Sequence, residues 1–172
     1  MDQSLRRLNE LPGSDAESEF LKCCGSIKWA RAMVGARPFV SPEAMFNQAD
    51  ALFSSLSDQD WLEAFRAHPK IGEKKAATAQ SDTAQKWSAQ EQSQTADAAT
   101  AVMDALAKRN RDYEQRFGFI FIVCASGKTA DEMLAMLNAR LANDAGVELQ
   151  VAAAEQRKIT QLRLQKLLES AG

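Results

Sequence analysis

Only one histidine, His68, occurs among the 172 residues, and imidazole is the side chain best suited to transfer a proton at neutral pH. The residue before a proline is displaced from the helical region, so Pro69 predicts that His68 lies at a helix end or in the turn that follows. The same setting is typical of a histidine that only terminates a helix. The pattern therefore leaves a catalytic and a structural interpretation open.

A polar segment, Ser88-Ala89-Gln90-Glu91-Gln92, marks the predicted start of a long helix. Ser88 and Glu91 have the spacing of a capping box, in which two side chains satisfy free backbone N–H groups reciprocally, and this structural interpretation is the stronger one on pattern alone. The first turn of a helix also carries N–H groups and a partial positive charge that suit an anionic or carbonyl-rich ligand. Ser88, Glu91 and Gln92 are therefore also candidate ligand-binding residues.

An arginine interrupts the apolar face of the last predicted helix, residues 146–169. Arg163 is four residues from both Ile159 and Leu167, and Glu155 lies on the same face. Such an arginine either extends along its aliphatic stem to reach water or presents its guanidinium to an internal pocket. The pattern slightly favours the first arrangement.

The cysteines do not have the spacing of metal ligands. Cys23 and Cys24 are adjacent, Cys124 is distant, and one histidine with scattered carboxylates does not complete a typical ligand shell. An odd number of cysteines fits reduced, buried thiols better than a disulfide framework. Gly118 and Gly127 do not fit a phosphate-binding or dinucleotide-binding loop. The sequence predicts neither a metal nor a nucleotide cofactor.

Helix signals that would position these residues recur along the chain. Capping-box spacing begins predicted helices at Ser14 and Thr129, and Ser41 followed by Pro42 begins another. Shorter helices are predicted over residues 42–56 and 58–67, and longer ones over residues 88–117 and 146–169. Residues 74–86 contain almost no large apolar side chain and are expected to form a mobile, exposed connection. The length and 45% hydrophobic content predict one compact domain over residues 1–172, and the recurring helix signals predict that it is all-α.

Residues 117–125 do not follow the helical pattern. Their aromatic and β-branched side chains are typical of a buried strand, but the sequence offers no second strand to pair with it. We therefore predict a helical bundle with one buried extended segment at about residues 117–125. The backbone groups of such a segment need partners, and a small ligand rich in N–H and C=O groups would supply them.

Composition argues against several classes of function. The net charge is −2 and neither sign forms a long block, which disfavours nucleic-acid binding. The apolar run at residues 117–125 is far shorter than the ~18 residues of a membrane-spanning helix, and the N-terminal residues lack the apolar core of a signal peptide. We expect a cytoplasmic protein that binds neither nucleic acid nor membrane.

Five segments occur together in one order along the chain. They are Arg37-Pro38-Phe39, Phe65 to Gly72 with the sequence His68-Pro69-Lys70-Ile71-Gly72 at its end, Ser88 to Gln92, Phe117 to Cys124 with Gly127-Lys128, and Lys158-Ile159 with Leu162-Arg163-Leu164. In combination they resemble the 2-oxo-4-hydroxy-4-carboxy-5-ureidoimidazoline (OHCU) decarboxylase family, over about residues 8–168. The adjacent cysteines and the lack of a peroxisomal tripeptide make the chain similar to bacterial members.

The resemblance implies an all-helical fold, a homodimer, no metal or organic cofactor, and a small-molecule pocket. His68 matches the proton donor of the family, and Glu91 and Arg163 are the other residues expected to act in catalysis. The positions expected to bind substrate are Pro69, Ser88, Gln92, Phe121, Ile122, Val123, Cys124 and Ala125.

The implied reaction is decarboxylation of OHCU to (S)-allantoin and CO2 in urate degradation. One alternative is a non-catalytic helical module that uses its long apolar stripes to bind a partner or a ligand. Another is a different small-molecule lyase or hydrolase on the same fold, acting earlier on 5-hydroxyisourate. The effect of changing His68 separates the first alternative from an enzyme, and substrate profiling separates the second.

Overall fold

The computed structural model describes residues 2–70, 86–87 and 100–170, and these residues contain eight helices and no strand. In chain order the helices are α1 (Gln3–Glu10), α2 (Gly13–Cys23), α3 (Ile27–Gly35), α4 (Pro42–Ser54), α5 (Asp58–Arg66), α6 (Thr100–Phe117), α7 (Ala130–Arg140) and α8 (Ala145–Ser170). The predicted all-α fold is confirmed. The predicted helix start at Ser88 and nearly all of the predicted connection at residues 74–86 lie outside the described residues. Of the helices just named, none combines the length and apolarity needed to cross a membrane.

Two helix starts follow directly from the chemistry of their capping residues. The Ser41 hydroxyl accepts a hydrogen bond from the N–H of Ala44 at 3.1 Å, and Pro42 occupies the first position of α4. At the start of α7 the Thr129 hydroxyl accepts from the N–H of Glu132, also at 3.1 Å. Both predicted starts are confirmed.

The capping box predicted at Ser14 is wrong. Helix α2 begins at Gly13, after Pro12, two residues earlier than an N-cap at Ser14 implies, so that Ser14 lies inside the first turn. The carbonyl of Pro12 accepts the N–H of Ala16 at 2.9 Å. Ala16 and Phe20 are fully buried on one face of α2. Helix α2 thus begins directly after a proline and without a side-chain cap.

The described chain falls into two compact units, Met1–Ala64 with Arg157–Gly172 and Phe65–Gln156. In the first unit α3 packs against both α2 and α4. Phe20 and Trp29 are fully buried there, with their rings edge to face and centroids 6.0 Å apart. Such a contact adds about 0.5–1.5 kcal/mol to the burial of the two rings.

Side chains tie the loop after α3 to helix α1, within the first unit. Arg37, which precedes Pro38 through a cis peptide bond, donates to the carbonyls of Leu8 at 2.8 Å and Leu11 at 2.9 Å. The amide of Asn9 donates to the carbonyl of Phe39 and accepts its N–H, both at 2.9 Å. The last carbonyls of a helix have no partner within the helix, so Arg37 caps α1. The Arg37-Pro38-Phe39 segment thus has a structural role.

In the second unit, α6 packs against α7 around an extended segment. The chain leaves α6 at Gly118 with φ of 79°, a conformation that favours glycine, and turns again at Gly127 with φ of 75°. The buried core of the second unit consists of Leu106, Tyr113, Phe121, Val123, Ala125, Ala130, Met133 and Leu137. The predicted buried extended segment is confirmed, although α6 continues to Phe117 and the extended part starts later than predicted.

Candidate active site

Three backbone groups of the extended segment are held by side chains. The carbonyl of Ile122 accepts from Nη1 of Arg140 at 2.7 Å. The N–H of Cys124 donates to Oε1 of Glu155 at 3.4 Å, and its carbonyl accepts from Nζ of Lys128 at 2.7 Å. Buried backbone groups need such partners. For these three groups the partner is a protein side chain rather than the ligand expected from the sequence.

Val123 lies between the anchored residues. It is 6% exposed, and no other described residue is hydrogen-bonded to its backbone N–H or C=O. Phe121, Ile122 and Ala125 are also buried. The segment therefore combines apolar side chains with one backbone donor and one backbone acceptor that the described protein groups do not occupy.

His68 lies in the turn that follows α5, where its N–H donates to the carbonyl of Phe65 at 3.1 Å. Its ring atom Nε2 is 2.6 Å from Oε1 of Gln156. Both His68 and Pro69 are half-buried. The predicted position at a helix end is confirmed, and the catalytic role of His68 stays a prediction.

Helix α8 buries polar residues at several positions along its length. Glu148, Glu155, Gln156, Thr160 and Arg163 are each no more than 3% exposed. Buried polar side chains are costly unless they are hydrogen-bonded, so the five buried polar residues of α8 indicate that this helix has a role beyond packing. The sequence pattern indicated Glu155 and Arg163 but missed Gln156. Gln156 could have been found from its spacing, because it is four residues from Ala152 and seven from Arg163 and therefore lies on the same helix face.

Arg163 belongs to the first unit and is 3% exposed. The expectation that it reaches water along its stem is wrong. Its Nη1 donates to the carbonyl of Lys22 at 3.3 Å, in the last turn of α2, where the helix carries partial negative charge. Burial raises the pKa of Cys24 to about 11, although the positive charge of Arg163 opposes that shift, and burial also raises the pKa of Cys23. These thiols are therefore protonated and weakly nucleophilic at neutral pH.

A buried polar cluster in the second unit supports the extended segment, and the sequence pattern did not reveal it. Arg140 is paired with Glu148 at 2.6 Å, and the hydroxyl of Tyr113 donates to the same carboxylate. Asn143 donates to the other carboxylate oxygen of Glu148 at 3.0 Å. Burial, followed by the hydrogen bond to Glu148, raises the pKa of Tyr113. The carboxylate thus has protein donors on both oxygens.

Ser88, Glu91 and Gln92 lie outside the described residues, so their predicted roles stay predictions. Within residues 2–70, 86–87 and 100–170, no three His, Cys, Asp or Glu side chains are grouped as metal ligands would be.

The fold and this arrangement define an all-helical protein in which the only histidine contacts a buried glutamine, and in which side chains hold a buried extended segment. The model of the OHCU decarboxylase family matches residues 9–165. The chain therefore belongs to the OHCU decarboxylase family.

Individual relatives agree with this assignment. The chain is 42% identical over 151 residues to the uric acid degradation bifunctional protein TTL of Arabidopsis thaliana, a match that covers 88% of this chain. It spans 47%, about half, of the Arabidopsis protein. An OHCU decarboxylase of Amia calva is 29% identical over 174 residues, covering 96% of this chain and 94% of that protein. A crystal structure of OHCU decarboxylase in the presence of (S)-allantoin is 38% identical, with a TM-score of 0.76, covering 88% of this chain and 98% of that one.

Proposed function

We propose that this protein is a cofactor-independent carboxy-lyase that converts OHCU to (S)-allantoin and CO2 in urate degradation. The observation that carries the proposal is the pairing of His68 with the buried Gln156, next to Glu155, which anchors the backbone of Cys124. The family match from residue 9 to residue 165 supports the choice of substrate. Because this match includes residues of both units, we also propose that residues 1–172 form one decarboxylase domain.

The chemistry of OHCU explains why amino-acid side chains suffice. Its carboxylate is attached to a ring carbon that also bears a hydroxyl and that neighbours a ring C=N bond. When the bond to the carboxylate carbon breaks, CO2 leaves and the electron pair moves toward the C=N bond. The hydroxyl loses its proton and becomes the ring carbonyl of allantoin, while one proton is added to the former C=N nitrogen and one to the ring carbon that bears the ureido group. One proton is taken up for each CO2 released.

His68 is the residue that we assign to this proton transfer. Its imidazole either accepts the proton of the hydroxyl or delivers a proton to the ureido-bearing carbon, and delivery from one face makes the product a single enantiomer. The half-buried position of His68 leaves part of the side chain accessible. Pro69, directly after it, restricts the backbone of the turn.

The extended segment is suited to bind the planar, amide-rich ring. Val123 offers a backbone N–H and C=O that no described residue occupies, and Phe121, Ile122, Cys124 and Ala125 provide a buried, largely apolar wall. Such a wall disfavours a solvated carboxylate relative to neutral CO2. Ser88, Glu91 and Gln92 are proposed to bind the ureido and ring amide groups. Arg163 is proposed to pair with a ligand oxygen that carries or develops negative charge.

Two further properties belong to the proposal. All three cysteines are buried and form no disulfide, which supports a reducing, cytoplasmic location. The homodimer implied by the family resemblance stays a prediction, and sedimentation of the purified chain over a range of concentrations tests it.

The deciding experiment follows circular dichroism of freshly generated OHCU with the purified protein and with its His68→Asn variant. The substrate decays unaided to racemic allantoin, so the handedness of the product distinguishes catalysis from background. We expect one enantiomer to form rapidly, and a loss of about 10²-fold or more in kcat in the variant, with a smaller change in KM. Arg66→Gln, an exposed change at the end of α5, is the control and should retain full activity.

Racemic product at the background rate with the parent protein would overturn the decarboxylase and favour the non-catalytic binding module. An equal loss of kcat and of ligand affinity in His68→Asn would mark His68 as structural. Turnover of 5-hydroxyisourate in place of OHCU would assign a different reaction to the same fold.

A further inference from the structure

We infer that Gln156 is a positioning residue for His68: its amide oxygen holds the imidazole with a proton on Nε2 and so makes Nδ1 the atom that exchanges a proton with the substrate. The part that concerns Nε2 rests on geometry alone, and the part that concerns Nδ1 rests on the proposed function.

The geometry of the contact defines which ring nitrogen carries hydrogen. Nε2 of His68 lies 2.6 Å from Oε1 of Gln156. An amide oxygen only accepts hydrogen bonds, so Nε2 is the donor and carries a proton. In a neutral imidazole the second nitrogen then has the lone pair. Nδ1 is therefore the base in the neutral ring and the acid in the charged ring.

The position of Gln156 makes it a rigid support. It is 0% exposed and lies well inside α8, so neither its backbone nor its side chain is free to follow a moving ring. His68 is in a turn after α5, where the backbone alone gives little constraint on the ring. A fixed partner on one nitrogen sets both the tautomer and the orientation of an imidazole, as second-layer partners do for histidines in other sites.

Glu155, the residue before Gln156, contacts the extended segment. Glu155 accepts the N–H of Cys124 at 3.4 Å. Two consecutive residues of one helix thus hold the proton-transfer residue and the segment proposed to bind the ring. A rigid element that carries both contacts keeps their geometry constant, which proton transfer to a defined ring carbon requires.

The absence of a second histidine makes the test direct. In the 172-residue chain labelled with 13C and 15N, every imidazole signal comes from His68. At a pH where the spectra show a neutral ring, we expect the ring proton on Nε2, in slow exchange with water. In Gln156→Met, which keeps the length of the side chain but removes the acceptor, that proton should exchange rapidly and the two ring nitrogens should move toward averaged shifts. Gln156→Glu retains an acceptor oxygen and should retain the slow Nε2 proton.

Kinetics of the same variants test the catalytic part. Gln156→Met should lose roughly 10-fold or more in kcat, with KM within about threefold of the parent, because ring orientation matters more in the transition state than in binding. Gln156→Glu should recover part of that loss.

Gln161→Met is the matched control on the same helix. The Gln161 amide bonds the carbonyl of Phe46 at 3.0 Å and the carboxylate of Asp50 at 2.6 Å, so the variant loses hydrogen bonds of similar kind. It should leave the His68 signals and kcat unchanged.

A ring proton on Nδ1 in the parent, or an unchanged Nε2 proton in Gln156→Met, would overturn the inference and leave the decarboxylase intact. If Gln156→Met does not fold, the parent and Gln156→Glu spectra still decide where the proton lies. A slowly exchanging Nε2 proton that is lost in Gln156→Met, in a protein that does not decarboxylate OHCU, would reject the proposed function and the assignment of Nδ1. The pairing of Gln156 with His68 would then stand.

Discussion

The guanidinium of Arg140 and the carboxylate of Glu148 form an ion pair that is almost entirely removed from water. Nη2 and Oε1 are 2.6 Å apart, and the two side chains are 8% and 0% exposed. The same guanidinium donates to the carbonyl of Ile122 and lies 4.5 Å from the centroid of the Phe121 ring. The pair thus connects α7 and α8 with the extended segment.

Breaking this pair should destabilise the protein strongly. Arg140→Met leaves the buried Glu148 carboxylate without its cation, and we expect a loss of about 3–5 kcal/mol in the free energy of unfolding, measured with urea. Arg31→Met is the control, because Arg31 pairs with Glu17 at 3.2 Å with 69% of its side chain exposed. That change should cost less than about 1 kcal/mol. Equal costs for the two variants would show that the buried pair does not support the segment.

Tyr113 should limit stability at high pH. Burial raises its pKa above the ordinary 10.0, so the unfolded chain loses the phenolic proton before the folded chain does. Its contribution to stability is present below about pH 10 and is lost as pH rises further. Tyr113 is the only tyrosine, so tyrosinate absorbance reports on it alone. We expect that absorbance to appear together with loss of the helical circular dichroism signal. Reversible ionisation near the ordinary value in a fully helical protein would contradict this.

The thiols of Cys23 and Cys24 should resist modification in the native state. Burial raises the pKa of Cys24 from 9.0 to about 11 and raises that of Cys23 as well. Thiolates, not thiols, react with an aromatic disulfide reagent, so native protein at neutral pH should react slowly and urea-unfolded protein rapidly. Stability from the protonated thiols is present below about pH 9 and decreases above it. Stoichiometric labelling of folded protein within minutes would show that these residues are accessible.

Arg163→Lys tests whether the buried arginine binds ligand. Lysine keeps the charge but loses the planar fork, so we expect KM to rise about 10-fold while kcat changes less. Loss of the bond to the Lys22 carbonyl should also lower Tm. Arg157→Lys, on the same helix with 53% of its side chain exposed, should alter neither quantity. A lower Tm with unchanged KM would assign Arg163 a purely structural role.

The helices of this protein are largely predictable from sequence because their signals are local. Ser41 with Pro42 and Thr129 with Glu132 are caps that satisfy backbone groups within a few residues, and they appear where the pattern predicts them. At Ser14 the same signal fails: helix α2 already begins at Gly13, and spacing alone does not distinguish an N-cap from a residue of the first turn.

The site is less predictable because its contacts join residues distant in sequence. His68 and Gln156 are separated by 88 positions, and no local pattern connects them. Arg163 is buried and bonds the carbonyl of Lys22, 141 positions away in sequence, and periodicity does not show whether a helix face meets protein or water. The extended segment was predictable from its residue types, whereas the side chains that anchor it were not.

The anchors of the extended segment have a further consequence for protein engineering. The hydrogen bonds of Arg140, Glu155 and Lys128 go to backbone atoms of Ile122 and Cys124, not to their side chains. The course of the segment is therefore encoded outside the segment itself. Side chains at Ile122 and Cys124 can be exchanged for others of similar volume without removing an anchor, so a combinatorial library at these two positions would vary the chemistry of the wall while its path stays the same.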